Sequence, residues 1–119
     1  MQVRETQEDF IMATSHRHFY KAHGGGRLAH NLNISGVDIT RRSAILVTAA
    51  PCDMGTGFLD PDIRLDVHGP DIRVTNIVPH GPEGGSGGVE FVLNIDSPNP
   101  VDVAVTITVF EPWESFGSG

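Results

Sequence analysis

The stretch VDVAVTITV at residues 101–109 alternates apolar side chains with polar or small ones. The same alternation occurs in VEFVLNID at residues 89–96 and in DIRLDVH at residues 62–68. Successive side chains of a β-strand point to opposite faces, so each stretch predicts a strand with one buried and one water-exposed face. This pattern is typical of antiparallel sheets. The predicted inward sets are Ile63, Leu65 and Val67; Val89, Phe91, Leu93 and Ile95; and Val101, Val103, Val105, Ile107 and Val109.

Shorter segments bring the predicted total to six or seven strands. Residues 43–49 are apolar on both faces, which predicts a central position in a sheet. In residues 71–78 the apolar positions change face after Val74, which predicts a β-bulge near Thr75 and Asn76. The other two segments are residues 30–34 and 37–40.

Turn-forming residues are dense, with 14 glycines and 8 prolines in 119 residues. This density of glycine and proline favours short strands joined by turns over long helices. The tetrapeptide PDIR occurs at residues 61–64 and 70–73, which predicts two adjacent strands with similar starts. SPNP at residues 97–100 predicts a turn, and HGPEGGSGG at residues 80–88 predicts a flexible loop. The predicted fold is an all-β antiparallel sandwich of immunoglobulin-like or jelly-roll type.

Residues 1–27 fit the sandwich least well. They lack a clean apolar stripe, and a glycine run at residues 24–26 follows them. We therefore predict an N-terminal arm over residues 1–27, extended or partly helical, a sandwich domain over residues 28–110 and an aromatic tail over residues 111–119. Deletion of the arm is expected to leave a folded β domain.

Charge is unevenly distributed along the chain. Six basic and four acidic residues give residues 1–42 a net charge of +2, whereas two basic and eleven acidic residues give residues 43–119 a net charge of −9. An acidic body disfavours nucleic-acid binding, because phosphate contacts need Lys and Arg. The longest apolar run is far too short to cross a bilayer. The N-terminal residues are charged where a signal peptide needs an apolar run, so a soluble protein made in the cytoplasm is expected, with no membrane partner.

Six histidines make metal binding the first chemistry to weigh. His16 and His18 would share one strand face as a ligand pair, but a site needs further ligands, and His23 and His30 flank the glycine run. Asp60, Asp62 and Asp66 could hold calcium, although alternation already explains Asp62 and Asp66 as exposed. The prediction is therefore no metal and no cofactor.

Catalytic motifs are also missing from the sequence. Cys52 is the one cysteine, and a small buried thiol is its expected role. The glycine runs lack the Gly-Lys-Ser/Thr of a phosphate-binding loop, and no Gly-x-Ser-x-Gly motif is present. The chain is predicted not to be an enzyme.

Protein–protein interaction remains as the expected role. Large aromatic residues at both ends of the chain are of the type that partner grooves bury, although those of the tail could equally fold back over the domain's own edge. Arms often exchange between subunits and cover sheet edges. The predicted partner-binding residues are Phe10, Phe19, Tyr20, Arg17, Lys21, Phe110, Trp113 and Phe116.

The runs IRVTNIVPH at residues 72–80, GVEFVLNID at residues 88–96 and NPVDVAVTITV at residues 99–109 resemble small β-sandwich virion proteins of tailed bacteriophages. Those are capsid decoration or auxiliary proteins and small tail components. The resemblance implies a homo-oligomer mounted on repeated subunits such as a major capsid or tail protein, and hence a location in the virion. The alternatives are a carbohydrate-binding sandwich, with Trp113, Tyr20 and His68 for stacking, and a histidine-ligated metalloprotein.

Overall fold

The computed structural model describes residues 13–54, 63–82 and 86–119. Within these ranges the chain forms strands and no helix, in two antiparallel sheets that make a β-sandwich, as predicted. One sheet has the strand order β1-β7-β3-β4 and the other β2-β6-β5. The strands are β1 (Ala13–His23), β2 (Gly26–Asp38), β3 (Ile45–Asp53), β4 (Arg64–Leu65), β5 (Ile72–His80), β6 (Ser86–Ile95) and β7 (Val101–Phe110).

The core lies between β6 and β7, the central strand of each sheet. Their alternating residues supply the buried side chains, so the inward sets predicted for residues 89–96 and 101–109 are confirmed. Phe91 is the largest fully buried side chain. Burial of such side chains contributes about 1.5–3 kcal/mol each. The buried members are Val89, Phe91, Leu93, Ile95, Val103, Val105, Ile107 and Val109, while Val101 is half-buried.

The predicted arm belongs to the sandwich wherever the structure describes it. Ala13–His23 is strand β1, paired along β7, and β2 begins at Gly26. The helical interpretation is therefore wrong for residues 13–23. The strand was missed because its inward positions hold histidine and tyrosine instead of aliphatic residues. Deletion of residues 1–27 would remove a sheet strand, and residues 1–12 lie outside the described part of the chain.

The prediction for residues 62–68 is wrong in extent. Among the described residues 63–68, only Arg64–Leu65 forms a strand, and although Ile63 is buried, Leu65 is 46% and Val67 89% exposed. The strand ends because Asp66 accepts the amide of His68 in a side-chain turn. The two PDIR copies are not neighbours either, since β4 pairs with β3 and β5 with β6.

Strand β3 lies inside its sheet, between β7 and β4, as its sequence predicted. However, β4 pairs with it only at Cys52 and Asp53. Most of this side of β3 therefore has no ladder partner among the described residues, and Leu46 on the outer face is 52% exposed.

Irregular positions follow the sequence signals. The register of β5 shifts between Thr75 and Val78, and Asn76 has a φ of 55°, which confirms the predicted bulge. The predicted strand 30–34 and the first two residues of the predicted strand 37–40 belong to one strand, β2, which ends at Asp38 and in which Gly36 has a φ of 79° at a register shift. The predicted turn at residues 97–100 is present, because the Ser97 hydroxyl accepts the Asn99 amide.

The connection between β5 and β6 is shorter than the predicted loop over residues 80–88. His80 ends β5, and β6 already begins at Ser86. Gly87 is required there, because a Cβ atom would collide with the carbonyl oxygens of Ile39 and His80. Nowhere in the described ranges is there a helix of the length and hydropathy needed to span a membrane.

Candidate interaction surface

Two long edge strands lie side by side at one side of the sandwich. β1 is outermost in its sheet and β2 is outermost in the other, and each has a single ladder partner among the described residues. They have 11 and 13 residues, whereas strands average about 5–6. An edge strand presents unpaired N–H and C=O groups that another chain can pair with. We call this pair of strands the open edge.

The inner face of the open edge is lined by imidazoles. His18 lies opposite Val105 of β7, and Tyr20 lies opposite Val103, so both share the face of the buried core. On β2, His30 lies opposite Phe91 of β6, again on the core side. The strand registers therefore bring residues from both sides of the glycine run together.

These side chains form a continuous ring-to-ring series. The ring centroids are 6.4 Å apart for His16 and His18, 4.6 Å for His18 and Tyr20, and 4.6 Å for Tyr20 and His30. His30 then contacts His23, with centroids 4.9 Å apart. We call the four histidines together with Tyr20 the histidine row.

His23 and His30 are joined by a hydrogen bond. Their Nε2 atoms are 2.7 Å apart, and Nδ1 of His23 lies 2.6 Å from the carbonyl oxygen of Gly24. Because a carbonyl can only accept, Nδ1 of His23 donates, and Nε2 of neutral His23 has a lone pair. His30 is therefore the donor, through Nε2–H. This bond joins β1 of one sheet to β2 of the other.

Burial disfavours charge within the histidine row. It lowers the pKa of His18, and the charge of His16 lowers it further. Burial likewise lowers the pKa of His30, with added repulsion from His23 and His18. Burial also raises the pKa of Tyr20 to about 12. His18, His30 and Tyr20 are therefore neutral at pH 7.

Metal binding was the first chemistry that the histidines raised. No group of three or more histidine, cysteine or acidic side chains in the described ranges is arranged to hold a metal ion. His16 and His18, the candidate pair, have centroids 6.4 Å apart and no third ligand. Of the calcium candidates, Asp60 and Asp62 lie outside the described residues, and Asp66 accepts the amide of His68.

The outer face of β1 carries the predicted basic residues. Arg17 and Lys21 are exposed, and Nε of Arg17 donates to the hydroxyl of Thr106 at 2.8 Å. Phe19 is half-buried against the second apolar cluster, which comprises Cys52, Met54, Ile63 and Ala104. Phe10 lies outside the described residues. Arg17 and Lys21 are thus available to a partner, whereas the Phe19 side chain is partly buried by packing within the sandwich.

Cys52 does not have the character of a nucleophile. It is buried in the second apolar cluster, and burial, assisted by the charges of Asp102 and Asp53, raises its pKa to about 11. A reactive cysteine needs the opposite shift, since the thiolate attacks. The expected role as a small buried thiol is consistent with this environment.

The aromatic tail combines both of the outcomes that its sequence allowed. Trp113 folds back on the turn after β2, where the Arg42 guanidinium lies 4.7 Å from its ring centroid. Phe116 packs edge-on against Trp113 but stays 86% exposed. Phe110 is 42% and Trp113 40% exposed. The tail is therefore anchored at Trp113 and free at Phe116.

A shallow groove of about 310 Å³ connects the tail to the open edge. It is lined by the start of β1 at Ala13 and Thr14, the end of β2 at residues 36–38, and the chain from Val109 to Pro112. Phe110 therefore lies in a groove that is also lined by the start of β1, the end of β2 and the start of the tail. Of the predicted partner-binding residues, only Phe110 lines this groove among the described residues.

Two of the stacking residues suggested for sugar binding already have partners. Tyr20 packs between imidazoles, and the Arg42 guanidinium lies over the ring of Trp113. His68 lies in the turn after β4 and is exposed.

Sequence reasoning missed the histidine row itself. Its signal was the alternation of Thr14, His16, His18 and Tyr20, which is the same period-two pattern with polar residues on the inward positions. No protein-family model, curated protein or solved structure matches this chain.

Proposed function

We propose that this is a non-enzymatic structural protein that binds neighbouring subunits through its open edge and its aromatic tail. The first partner is a second copy of the same chain, giving a homo-oligomer. The observation that carries the proposal is that two long edge strands of different sheets, β1 and β2, lie on the same side of the sandwich, with Tyr20 of β1 in ring contact with His30 of β2.

Edge strands of this length are rarely left bare in monomers. Monomers usually shorten them, cover them or place charged residues on them. Here the basic residues of β1, Arg17 and Lys21, lie on the outer face only, whereas β2 contributes the half-exposed Leu28 to the inner side of the open edge. Addition of a strand from a neighbouring subunit would satisfy the backbone and cover Leu28 together.

The tail supplies apolar anchors beside that edge. Phe110 and Phe116 leave large areas exposed, and aromatic residues dominate the energy of protein interfaces. Phe110 lines the groove at the start of β1 together with Glu111 and Pro112, so one partner could contact the edge and the beginning of the tail together.

The setting that we propose is a virion. The resemblance to small phage sandwich proteins supports it, and in that setting the neighbours are a major capsid or tail protein repeated over a shell or tube. A capsid decoration protein and a small tail component both fit such a role. Neither nucleic acid nor a membrane is required as a partner.

A matched pair of leucine variants tests the role of the open edge. Leu28 on β2 and Leu46 on β3 are both 52% exposed, but Leu46 lies away from the open edge. Leu28→Lys is expected to lower the oligomer mass in sedimentation or light scattering, because it places a charge at the interface. Leu46→Lys is expected to leave the mass unchanged.

Two results would contradict the proposal. One is a wild-type mass of 12.8 kDa at concentrations up to about 1 mM, where even weak pairs associate, together with no binding to purified capsid or tail subunits. The other is an equal loss of mass in the two lysine variants, which would move the interface away from the open edge.

A further inference from the structure

The two sheets meet at the open edge through side chains rather than through backbone pairing. β1 pairs with β7 and β2 pairs with β6, and the ring contacts of His30 with Tyr20 and His23 bridge β1 and β2. At the opposite side, β3 and β5 pack on each other. On this side of the sandwich, tyrosine and imidazole rings therefore link β1 to β2.

The hydrogen bond between His23 and His30 limits how many protons the pair can hold. Its two Nε2 atoms, 2.7 Å apart, can share one proton. When both rings are neutral, one proton lies between the two Nε2 atoms. When one ring is charged, one proton still lies between them, provided that the neutral ring carries its own proton on Nδ1. When both rings are charged, each Nε2 is a donor, so the bond is lost and two like charges stand in contact.

Among the described residues, the side chains that face these rings include no carboxylate to pair with a charged imidazole. The facing residues of β7 are Val101, Val103 and Val105, and the facing residue of β6 is Phe91. On β1 the same face carries further imidazoles and Tyr20. Among the described residues, charged side chains near this site lie on other faces: Arg17 and Lys21 on the outer face of β1, Arg27 on the outer face of β2, and Asp102, which accepts the amide of Ala22.

We propose that the histidine row is an acid-sensitive latch, in which charging of His18 and of both members of the His23–His30 pair separates β1 from β2 and opens this side of the sandwich. The latch lies within one chain, so it does not depend on the proposed function. If both hold, mild acid also alters the docking edge.

The direction of the pH effect follows from His18 and His30, the two histidines whose pKa values are lowered. The pKa values of His18 and His30 lie below the ordinary value of 6.5 in the closed state. The open state, with water around the rings, binds protons more readily. Stability of the closed state is therefore complete above about pH 6.5 and declines as the pH falls below it. Each proton taken up on opening raises the opening constant by about tenfold per pH unit.

Nuclear magnetic resonance of the wild-type protein tests the latch directly. Imidazole resonances are followed between pH 7.5 and 5.0, together with contacts between the ring protons of Tyr20 and His30. We expect His18 and His30 to titrate below pH 6.5, and the Tyr20–His30 contacts to disappear in the same range while amide protons of the β3–β7 ladder stay protected. Titration at or above pH 6.5, or ring contacts that persist at pH 5.0, would overturn the proposal.

A matched pair of variants tests the same point through stability. His30→Gln keeps an amide donor for Nε2 of His23 but cannot be charged, so its unfolding constant is expected to depend less on pH than that of the wild type. His68→Gln changes an exposed histidine outside the row and should keep the wild-type slope. Equal slopes in all three proteins would refute the latch. If His30→Gln does not fold, His18→Gln replaces it, and the wild-type titration decides independently.

Discussion

The centre and the open edge of this sandwich use the same alternation with different chemistry. In the β2–β6 ladder, Leu93 of the central strand is fully buried, whereas Leu28 directly opposite is 52% exposed. The next inward pair is Phe91 and His30. In the other sheet, Val105 lies opposite His18. One step from centre to edge thus replaces a buried apolar side chain with an imidazole or a half-exposed leucine.

This difference shows what an edge permits. A core-facing position flanked by strands on both sides favours an apolar side chain, because an unpaired polar group buried there costs on the order of 1–3 kcal/mol. At the edge one side of the ring reaches water, so histidine is tolerated. Inward-pointing charge is also a way in which proteins discourage strand addition. A histidine row permits docking when neutral and opposes it when charged, which links the proposed latch to the proposed edge.

Removal of β1 is expected to have the largest effect, and it tests whether the sandwich needs this edge strand in order to fold. We expect deletion of residues 1–24 to abolish cooperative unfolding, because it exposes the inner face of β7 at Val103, Val105 and Ile107. Circular dichroism and thermal melting measure this. Deletion of residues 114–119 is the control and should leave the melting transition in place. A cooperative melt within a few degrees of the full chain after loss of β1 would mean that the edge strand is dispensable.

The leucine pair across the β2–β6 ladder gives the second largest effect. Leu93→Ala is expected to cost about 2–5 kcal/mol of unfolding free energy, because it leaves a cavity in the core. Leu28→Ala should cost less than about 1 kcal/mol, since half of the side chain is already in water. Urea denaturation of the two variants measures the difference. Similar costs would show that the open edge is packed as tightly as the centre.

The same centre-to-edge difference explains how far the sequence predicted the fold. Residues 89–96 and 101–109 were correctly assigned because a central strand has only one way to bury an apolar face. The bulge at Thr75 and Asn76 was correctly placed because the pattern changes face there. Residues 62–68 show the same alternation, yet Val67 is 89% exposed. Alternation reports that two faces differ, and it does not report whether another layer covers either of them.

The interaction surface was only partly predictable for a related reason. Arg17, Lys21, Phe110, Trp113 and Phe116 were singled out by residue type, and the structure places them on exposed surface. The His23–His30 contact depends on how two strands in different sheets pass the glycine run. That geometry is set by pairing with β7 and β6, which lie far along the sequence, so no local pattern contains it.

Cys52 offers a third test, in the second apolar cluster on the outer face. Its pKa of about 11, against an ordinary 9.0, leaves about a hundredfold less thiolate at pH 8. Alkylation by iodoacetamide should be slower than that of a free thiol by at least this factor, and should reach the free-thiol rate in denaturant. Rapid alkylation of the native protein would show that this cluster is open to solvent.

The smallest expected effect on stability belongs to the tail. Trp113→Ala removes the contact with the Arg42 guanidinium, and such exposed contacts contribute about 0.5–1 kcal/mol. Phe116→Ala should change the unfolding free energy by less than about 0.5 kcal/mol, because the ring is 86% exposed. Urea denaturation followed by circular dichroism measures both, since Trp113 is the only tryptophan and its loss removes the fluorescence signal.

The tail variants also separate folding from binding. If the tail is an anchor for a partner, Phe116→Ala should weaken association while leaving the unfolding free energy of the monomer unchanged. A core residue cannot behave in this way, because its loss changes folding first. A cost above about 2 kcal/mol for Trp113→Ala would place its ring among the residues that hold the sandwich together. The aromatic tail would then resemble the centre of the molecule, and binding would be left to the open edge alone.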